Sequence, residues 1–262
     1  MNYCLPDKQL VAQSFSKAAS TYDSVAHLQR LVGEQLLAQL VIQQPITQWV
    51  DLGAGTGFFS RQLQQQFPQA TGTCLDLAFG MLQQAKARRS AHYYIAGDAE
   101  NLPLAVNSTD LLFSSLALQW CSDFSKVLSE AAKVLKPNGI FAFSSLCTGT
   151  LHELKHSWQQ VDNAVHVNQF RQFSDYQHLC QNSCLSIVQL EQRAHVLHYP
   201  QLRGLTHELK YLGANNLNRG RKTGLSSRQD LLALTQAYEK FRQPQGLPAT
   251  WQIVYGVLRK EG

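Results

Sequence analysis

A chain of 262 residues with 44% hydrophobic and 16% charged side chains carries enough apolar surface for a full core, which excludes intrinsic disorder. No apolar run approaches the roughly 20 residues that cross a bilayer, and the opening "MNYCLPDKQLVAQSFSK" lacks the basic-then-apolar order of a secretory signal, so the chain reads as cytoplasmic. The net charge of +5 is unevenly placed: between 193 and 228 seven cations, Arg193, Arg203, Lys210, Arg219, Arg221, Lys222 and Arg228, face Glu208 alone, and the remainder is slightly acidic.

The first forty-odd residues are polar and helix-prone, with apolar positions in "VAHLQRLVGEQLLAQLV" at helical spacing, up to Pro45. Strand-like and helix-like stretches then alternate. "ITQWVDLG" is a strand, and "FFSRQLQQQF" a helix stopped before Pro68. "ATGTCLD" is a second strand, followed by the helix "AFGMLQQAKARR" and a third strand, "HYYIAGD". "TDLLFSSLAL" is a fourth strand, "DFSKVLSEAAKVL" a helix, and "GIFAFSSL" a fifth strand entered through a turn at Pro137-Asn138-Gly139. Short strands alternating with helices indicate βαβ units and a parallel sheet, with a ligand crevice at the carboxyl ends of the strands. Beyond residue 150 the pattern loosens into helices near 151–165, 173–181, 201–212 and 227–241, around a strand at 185–197, and "TWQIVYGVLRK" closes the chain as a strand. The reading is one structural domain: an N-terminal helical lid over 1–45, a core over 46–150, and a remainder over 151–262 with a helical insertion at about 200–245.

The sharpest motif is "VDLGAGTGFFSRQL", residues 50–63. A strand ends at Asp51 and Leu52, and Gly53, Ala54, Gly55, Thr56 and Gly57 turn the chain into a helix. Glycines permit positive φ and close approach of a ligand to the backbone. The dinucleotide fingerprint G-x-G-x-x-G requires a glycine where this chain has Phe58. An acid ending the first strand also suits a pyrophosphate poorly.

The loop resembles instead the D-x-G-x-G-x-G motif of class I S-adenosylmethionine-dependent methyltransferases. The resemblance implies a Rossmann-like fold with a mostly parallel seven-stranded sheet and helices on both faces. It implies S-adenosylmethionine as cofactor and no metal. The glycine loop then carries the amino-acid tail, with Asp51 near its ammonium. Asp76, ending the second strand, accepts from both ribose hydroxyls. Asp98, after the third strand, accepts from the adenine amino group, and Ala99 offers its backbone N–H to the ring. Leu77 and Met81 sandwich the adenine, and Ser115, Leu116, Gln119 and Trp120 border the sulfonium and the methyl acceptor. Each acid taken singly also reads as a helix cap or a loop residue, and Trp120 as an edge of the core. The three acids in order after three strands favour the cofactor reading.

Two other patterns are read as structural. "HELKH", His152 to His156, matches the zinc motif H-E-x-x-H, but it follows a sheet already committed to another cofactor, so both histidines are assigned to a helix surface. The six cysteines lack metal or disulfide spacing and read as buried free thiols.

A Gln-Trp pair like Gln119-Trp120 also occurs in small-acid methyltransferases of the trans-aconitate type. The ends of the chain are more specific. "FSKAASTYD" (15–23), "LQR" (28–30), "QWCSDFSKVLSEAAKVLKPNGIFAFSSL", "ELKYLGANNLNRGR" and the final "TWQIVYGVL" resemble the malonyl-acyl-carrier-protein O-methyltransferase family. His207 departs from it, since an arginine is common there. The resemblance implies methylation of the free carboxylate of a malonyl thioester on an acidic acyl carrier protein, the first step of biotin synthesis, with no nucleic-acid or membrane partner. The ionised carboxylate needs no general base. The enzyme has to align oxygen, methyl carbon and sulfur, which can contribute ~7–11 kcal/mol. His207, Lys210, Tyr211 and Arg221 are the substrate candidates, with Lys210 or Arg221 on the malonyl carboxylate and Arg219, Lys222 and Arg228 nearer the carrier. Tyr22 either closes over the methyl group and orients the acceptor or packs on the cofactor. A free-acid or quinone-precursor methyltransferase and a non-catalytic cofactor- or RNA-binding regulator are the competing readings.

Overall fold

Successive residues of β1 (Gln48–Leu52) face opposite sides of the sheet and both sides are buried: Trp49 packs into one core cluster, Val50 and Leu52 into the other. The structure, a computed structural model, describes residues 7–214 and 227–262. Its strands are β1, β2 (Thr71–Asp76), β3 (Tyr93–Ala96), β4 (Thr109–Ser115), β5 (Leu135–Leu146), β6 (Ser186–Tyr199) and β7 (Leu247–Arg259). They form one seven-stranded sheet in the order β3-β2-β1-β4-β5-β7-β6. The first five pair in parallel, and β7 runs antiparallel to both β5 and β6. This is the mostly parallel, doubly covered sheet expected from the motif.

One face of the sheet carries α3 (His27–Ala38), α4 (Phe58–Gln66), α7 (His152–Gln159), α9 (Leu202–Tyr211) and α10 (Arg228–Glu239), whose Val32, Leu63, Trp158, Leu205 and Tyr238 share a core with Trp49 and Phe113. The other carries α6 (Phe124–Val134) and α8 (Phe173–Gln181). α6 shows why such a helix forms. Asp123 caps it by accepting from the Ser125 and Lys126 N–H groups, and Phe124, Val127, Leu128, Ala131 and Val134 make one buried stripe. Each large side chain in that stripe contributes about 1.5–3 kcal/mol. α5 (Phe79–Ala87) follows β2, and α1 (Lys8–Ala18) and α2 (Tyr22–Val25) lie over the carboxyl ends of the strands, where α1 packs on α5.

Several boundaries differ from the expected ones. β4 stops at Ser115 instead of 118, because Leu116 takes φ +49 and turns its N–H to the Ser144 carbonyl at 3.1 Å. Residues Leu118–Trp120 form a 3-10 turn. Pro137-Asn138-Gly139 is an irregularity inside β5, where the register with β4 jumps from Thr109↔Leu135 to Leu111↔Ile140, and is not a turn before the strand. α7 ends at Gln159, short of 165. β7 begins at Leu247 because its register with β6 extends back to Tyr199. The described cysteines are all free. Cys74, Cys147 and Cys180 are buried, but Cys184 is exposed and Cys121 is half-buried at a cavity wall. Among the described residues no helix is long and apolar enough to cross a membrane.

Candidate active site

The glycine loop between β1 and α4 holds Gly53, Gly55 and Gly57 at φ +75, +54 and +75. This is the left-handed region that side chains disfavour. A Cβ on Gly53 would stand 2.2 Å from the Ala117 Cβ, whereas at Gly55 it would project into open space. That space is a cavity at the carboxyl ends of β1, β2 and β4, roofed by Lys8, Val11, Phe15 and Tyr22 of α1 and α2.

Asp76 ends β2 at the cavity wall. Its Oδ2 accepts from the Gly55 N–H at 2.8 Å and its Oδ1 from the Ala78 N–H at 2.7 Å. Burial pushes its pKa up, against the pull of these backbone donors. Each oxygen keeps a further acceptor direction. Leu77, Met81, Asp98, Ala99, Ser115, Leu116 and Trp120 line the same cavity, as does Gly53. Asp98 accepts from the Lys8 ammonium at 2.6 Å, and Glu100 takes the same ammonium at 2.8 Å. Tyr22 lines the cavity with its phenol pKa raised by burial and then by the Asp76 and Asp23 carboxylates. Asp23 clamps α2 to the loop, accepting from Thr56 Oγ1 at 2.7 Å and pairing with Arg88. Phe15 meets Trp120 edge-on with ring centroids 5.5 Å apart.

Other candidates stand off the cavity wall. Asp51 is 3% exposed and accepts from Ser60 Oγ at 2.6 Å, behind the loop; burial raises its pKa to about 7. Ala54 packs against Cys74 and Leu82, and Gly57 forms the N-cap of α4. Gln119 is turned back on its own loop, donating to the Leu116 carbonyl at 2.5 Å and accepting from Ser145 Oγ at 3.4 Å. On α9, His207 is exposed and stacks on Tyr211 at 3.9 Å, and Lys210 is exposed. Thr206 and Leu209 of α9 border a second cavity with Trp120, whereas Arg203 and His207 line a shallow surface depression with Pro200 and Gln201. Tyr211 touches the N-terminal helices through its carbonyl, which accepts from Thr21 Oγ1 at 3.2 Å. Arg219, Arg221 and Lys222 lie outside the described residues. On α7 His156 is exposed and His152 half-buried, while Glu153 is 2% exposed and accepts from Thr250.

Sequence reasoning missed Lys8, which belongs to no motif. Phe15 opens the stretch "FSKAASTYD", whose family resemblance is the signal for it.

A methyltransferase-domain family model matches residues 50–143. A malonyl-[acyl-carrier protein] O-methyltransferase from Serratia marcescens is 42% identical over 255 residues, 97% of this chain and 97% of that protein. The chain belongs to the malonyl-[acyl-carrier protein] O-methyltransferase family. A biotin biosynthesis bifunctional protein from Cellvibrio japonicus is 49% identical across 97% of this chain, which spans half of that longer protein. Among solved structures, the fold matches a complex of the Haloferax volcanii Trm112 methyltransferase activator with a methyltransferase, at TM-score 0.63 and 18% identity, covering 96% of this chain and 98% of that one. Family membership brings S-adenosylmethionine as cofactor, and the cavity fits it: a carboxylate for vicinal hydroxyls at Asp76, an apolar slot at Leu77 and Met81, and open space at Gly55.

Proposed function

We infer that this protein transfers a methyl group from S-adenosylmethionine to the free carboxylate of a malonyl thioester on acyl carrier protein, giving the malonyl methyl ester that starts biotin synthesis. The observation that carries the reading is identity of about two in five residues over nearly the whole length of relatives so named. When bound, the cofactor supplies an electrophilic methyl group on a sulfonium cation. The chain's own residues then have to bind, orient and exclude water. Asp76, Leu77, Met81, Asp98 and the glycine loop would hold the cofactor. Segment 1–45 acts as the lid, with Phe15 and Tyr22 over the reaction centre against Trp120. An ionised carboxylate is already nucleophilic, so the reading asks no proton transfer of Tyr22, whose raised pKa keeps the phenol protonated and a hydrogen-bond donor. Docking of the acidic carrier falls to the basic stretch 193–228, and nucleic acid has no part in the reading.

The test is methyl transfer from labelled S-adenosylmethionine to malonyl carrier protein and to malonyl-coenzyme A at low and moderate salt. Transfer to the carrier form, weakened by salt, is the expected result. Equal rates on both thioesters would remove the carrier role from 193–228, and no transfer to either with cofactor bound would overturn the function.

A further inference from the structure

A second cavity lies on the far side of Trp120 from the cofactor cavity, between α7, α9, β7 and the chain around 166–170. Trp120 lines both. The second cavity is walled by Leu154, Trp158, Phe170, Leu209 and Trp251. Trp158 is braced there: His166 stacks flat on it at 3.6 Å and pairs with Asp162 at 2.7 Å. Trp251 is 4% exposed, and its indole N–H finds no hydrogen-bond partner. A buried donor left unpaired is costly; of the two such indoles among the described residues, Trp49 does not line this cavity and Trp251 does. The cavity also shares Trp158, His166 and Phe170 with a larger neighbouring groove that carries Lys155 and His156.

We propose that this second cavity is the acceptor channel: the acyl thioester arm lies in it, its charged carboxylate end at Trp120, and the Trp251 indole N–H donates to a carbonyl oxygen of the arm. The proposal rests on the carboxyl-methyltransferase reading above. The chemistry of the walls favours this occupant. A mixed lining, apolar at Leu154, Phe170 and Leu209 and polar at His166, Asn168 and Thr206, suits thioester and amide carbonyls joined by methylene groups, whereas its described lining holds no Lys or Arg to offset the desolvation of an ionised carboxylate. The charged end therefore belongs on the cofactor side of Trp120. This places acceptor recognition on the inner face of α9, at Thr206 and Leu209, and on β7, leaving the exposed His207 and Lys210 off the channel.

The test compares wild type with Trp251→Phe, which keeps the ring and removes the donor, and with Thr206→Trp, which fills the channel from an exposed position. Initial rates are measured against malonyl carrier protein and against S-adenosylmethionine. The expected result is an acceptor KM raised about tenfold in each variant with the cofactor KM unchanged. Thr206→Trp should keep the wild-type melting temperature, so it carries the test even where Trp251→Phe folds poorly. A second readout needs no turnover: three of the four tryptophans line this cavity, so malonyl-pantetheine added to the S-adenosylhomocysteine complex should change the intrinsic fluorescence. Wild-type transfer with both acceptor KM values within twofold and no fluorescence change would overturn the channel while sparing the function. A wild type that binds cofactor and methylates neither thioester would overturn both.

Discussion

Asp51 shows how one position can serve the fold and complicate the chemistry. It is sealed behind the glycine loop with Ser60 and, through Ser60, Cys74. Burial, followed by the Asp76 charge, lifts its pKa from the ordinary carboxylate range to about 7, while the Ser60 hydroxyl pulls the other way. A carboxyl whose folded pKa is raised holds its proton more tightly in the folded state. Its stabilising contribution is therefore complete below about pH 4 and is lost as pH rises through about 7. The cofactor-free protein should melt progressively lower between pH 5 and pH 8, and Asp51→Asn should flatten that slope. A melting series in one buffer system checks this. A slope unchanged in the variant would assign it to other groups.

At the scale of elements, one side chain ties the start of α1 to the strand ends. Lys8 reaches Asp98 and Glu100, and Glu100 in turn accepts from the N–H groups of Ser122 at 2.6 Å and Asp123 at 3.2 Å, where the chain enters α6. The pair is partly exposed, so screening limits its direct worth to about 1 kcal/mol. Its leverage is positional, because α1 also supplies Val11 and Phe15 to the cavity roof. Lys8→Met should expose segment 8–26 to limited proteolysis several-fold faster and weaken S-adenosylhomocysteine binding about threefold. Calorimetric titration showing unchanged affinity would separate α1 from cofactor retention. The opposite wall of the roof is tied down in a similar way: Ser14 Oγ donates to the Gly213 carbonyl at 2.9 Å and Thr21 Oγ1 to that of Tyr211, so α9 and the N-terminal helices meet directly.

At the scale of the whole molecule, the "HELKH" stretch ties two distant parts of the chain together. Glu153 turns inward from α7 and accepts from Thr250 N at 3.1 Å and Thr250 Oγ1 at 2.5 Å, anchoring β7. His156 uses Nδ1 on the His152 carbonyl at 2.7 Å. Among the described residues no group of three metal-ligating side chains stands together. Glu153→Ala leaves a buried N–H unpaired and should cost about 1–3 kcal/mol, lowering the melting temperature by roughly 2–4 °C per kcal/mol. Zinc or a chelator should leave that temperature unchanged in wild type. A zinc-dependent rise would restore the metal reading of the motif.

The sequence alone determined the βα alternation, the glycine loop and the order of Asp51, Asp76 and Asp98 after three strands. Each of these depends on near neighbours, whose periodicity and φ requirements are written locally. It also led to the seven-stranded sheet through the family motif, which packing then realised with β7 reversed between β5 and β6. Tertiary structure alone decided which candidates share a cavity. Asp76, Leu77, Met81, Asp98 and Trp120 reach it, whereas Asp51 and Gln119 are turned to neighbours in the core and His207 and Lys210 face solvent. It also brought Lys8 to Asp98 across 90 positions, Glu153 to Thr250 across 97 and Thr21 to Tyr211 across 190. Contacts at such separations leave no period in the sequence, because they are set by how helices and sheet pack, and packing is a property of the assembled surfaces.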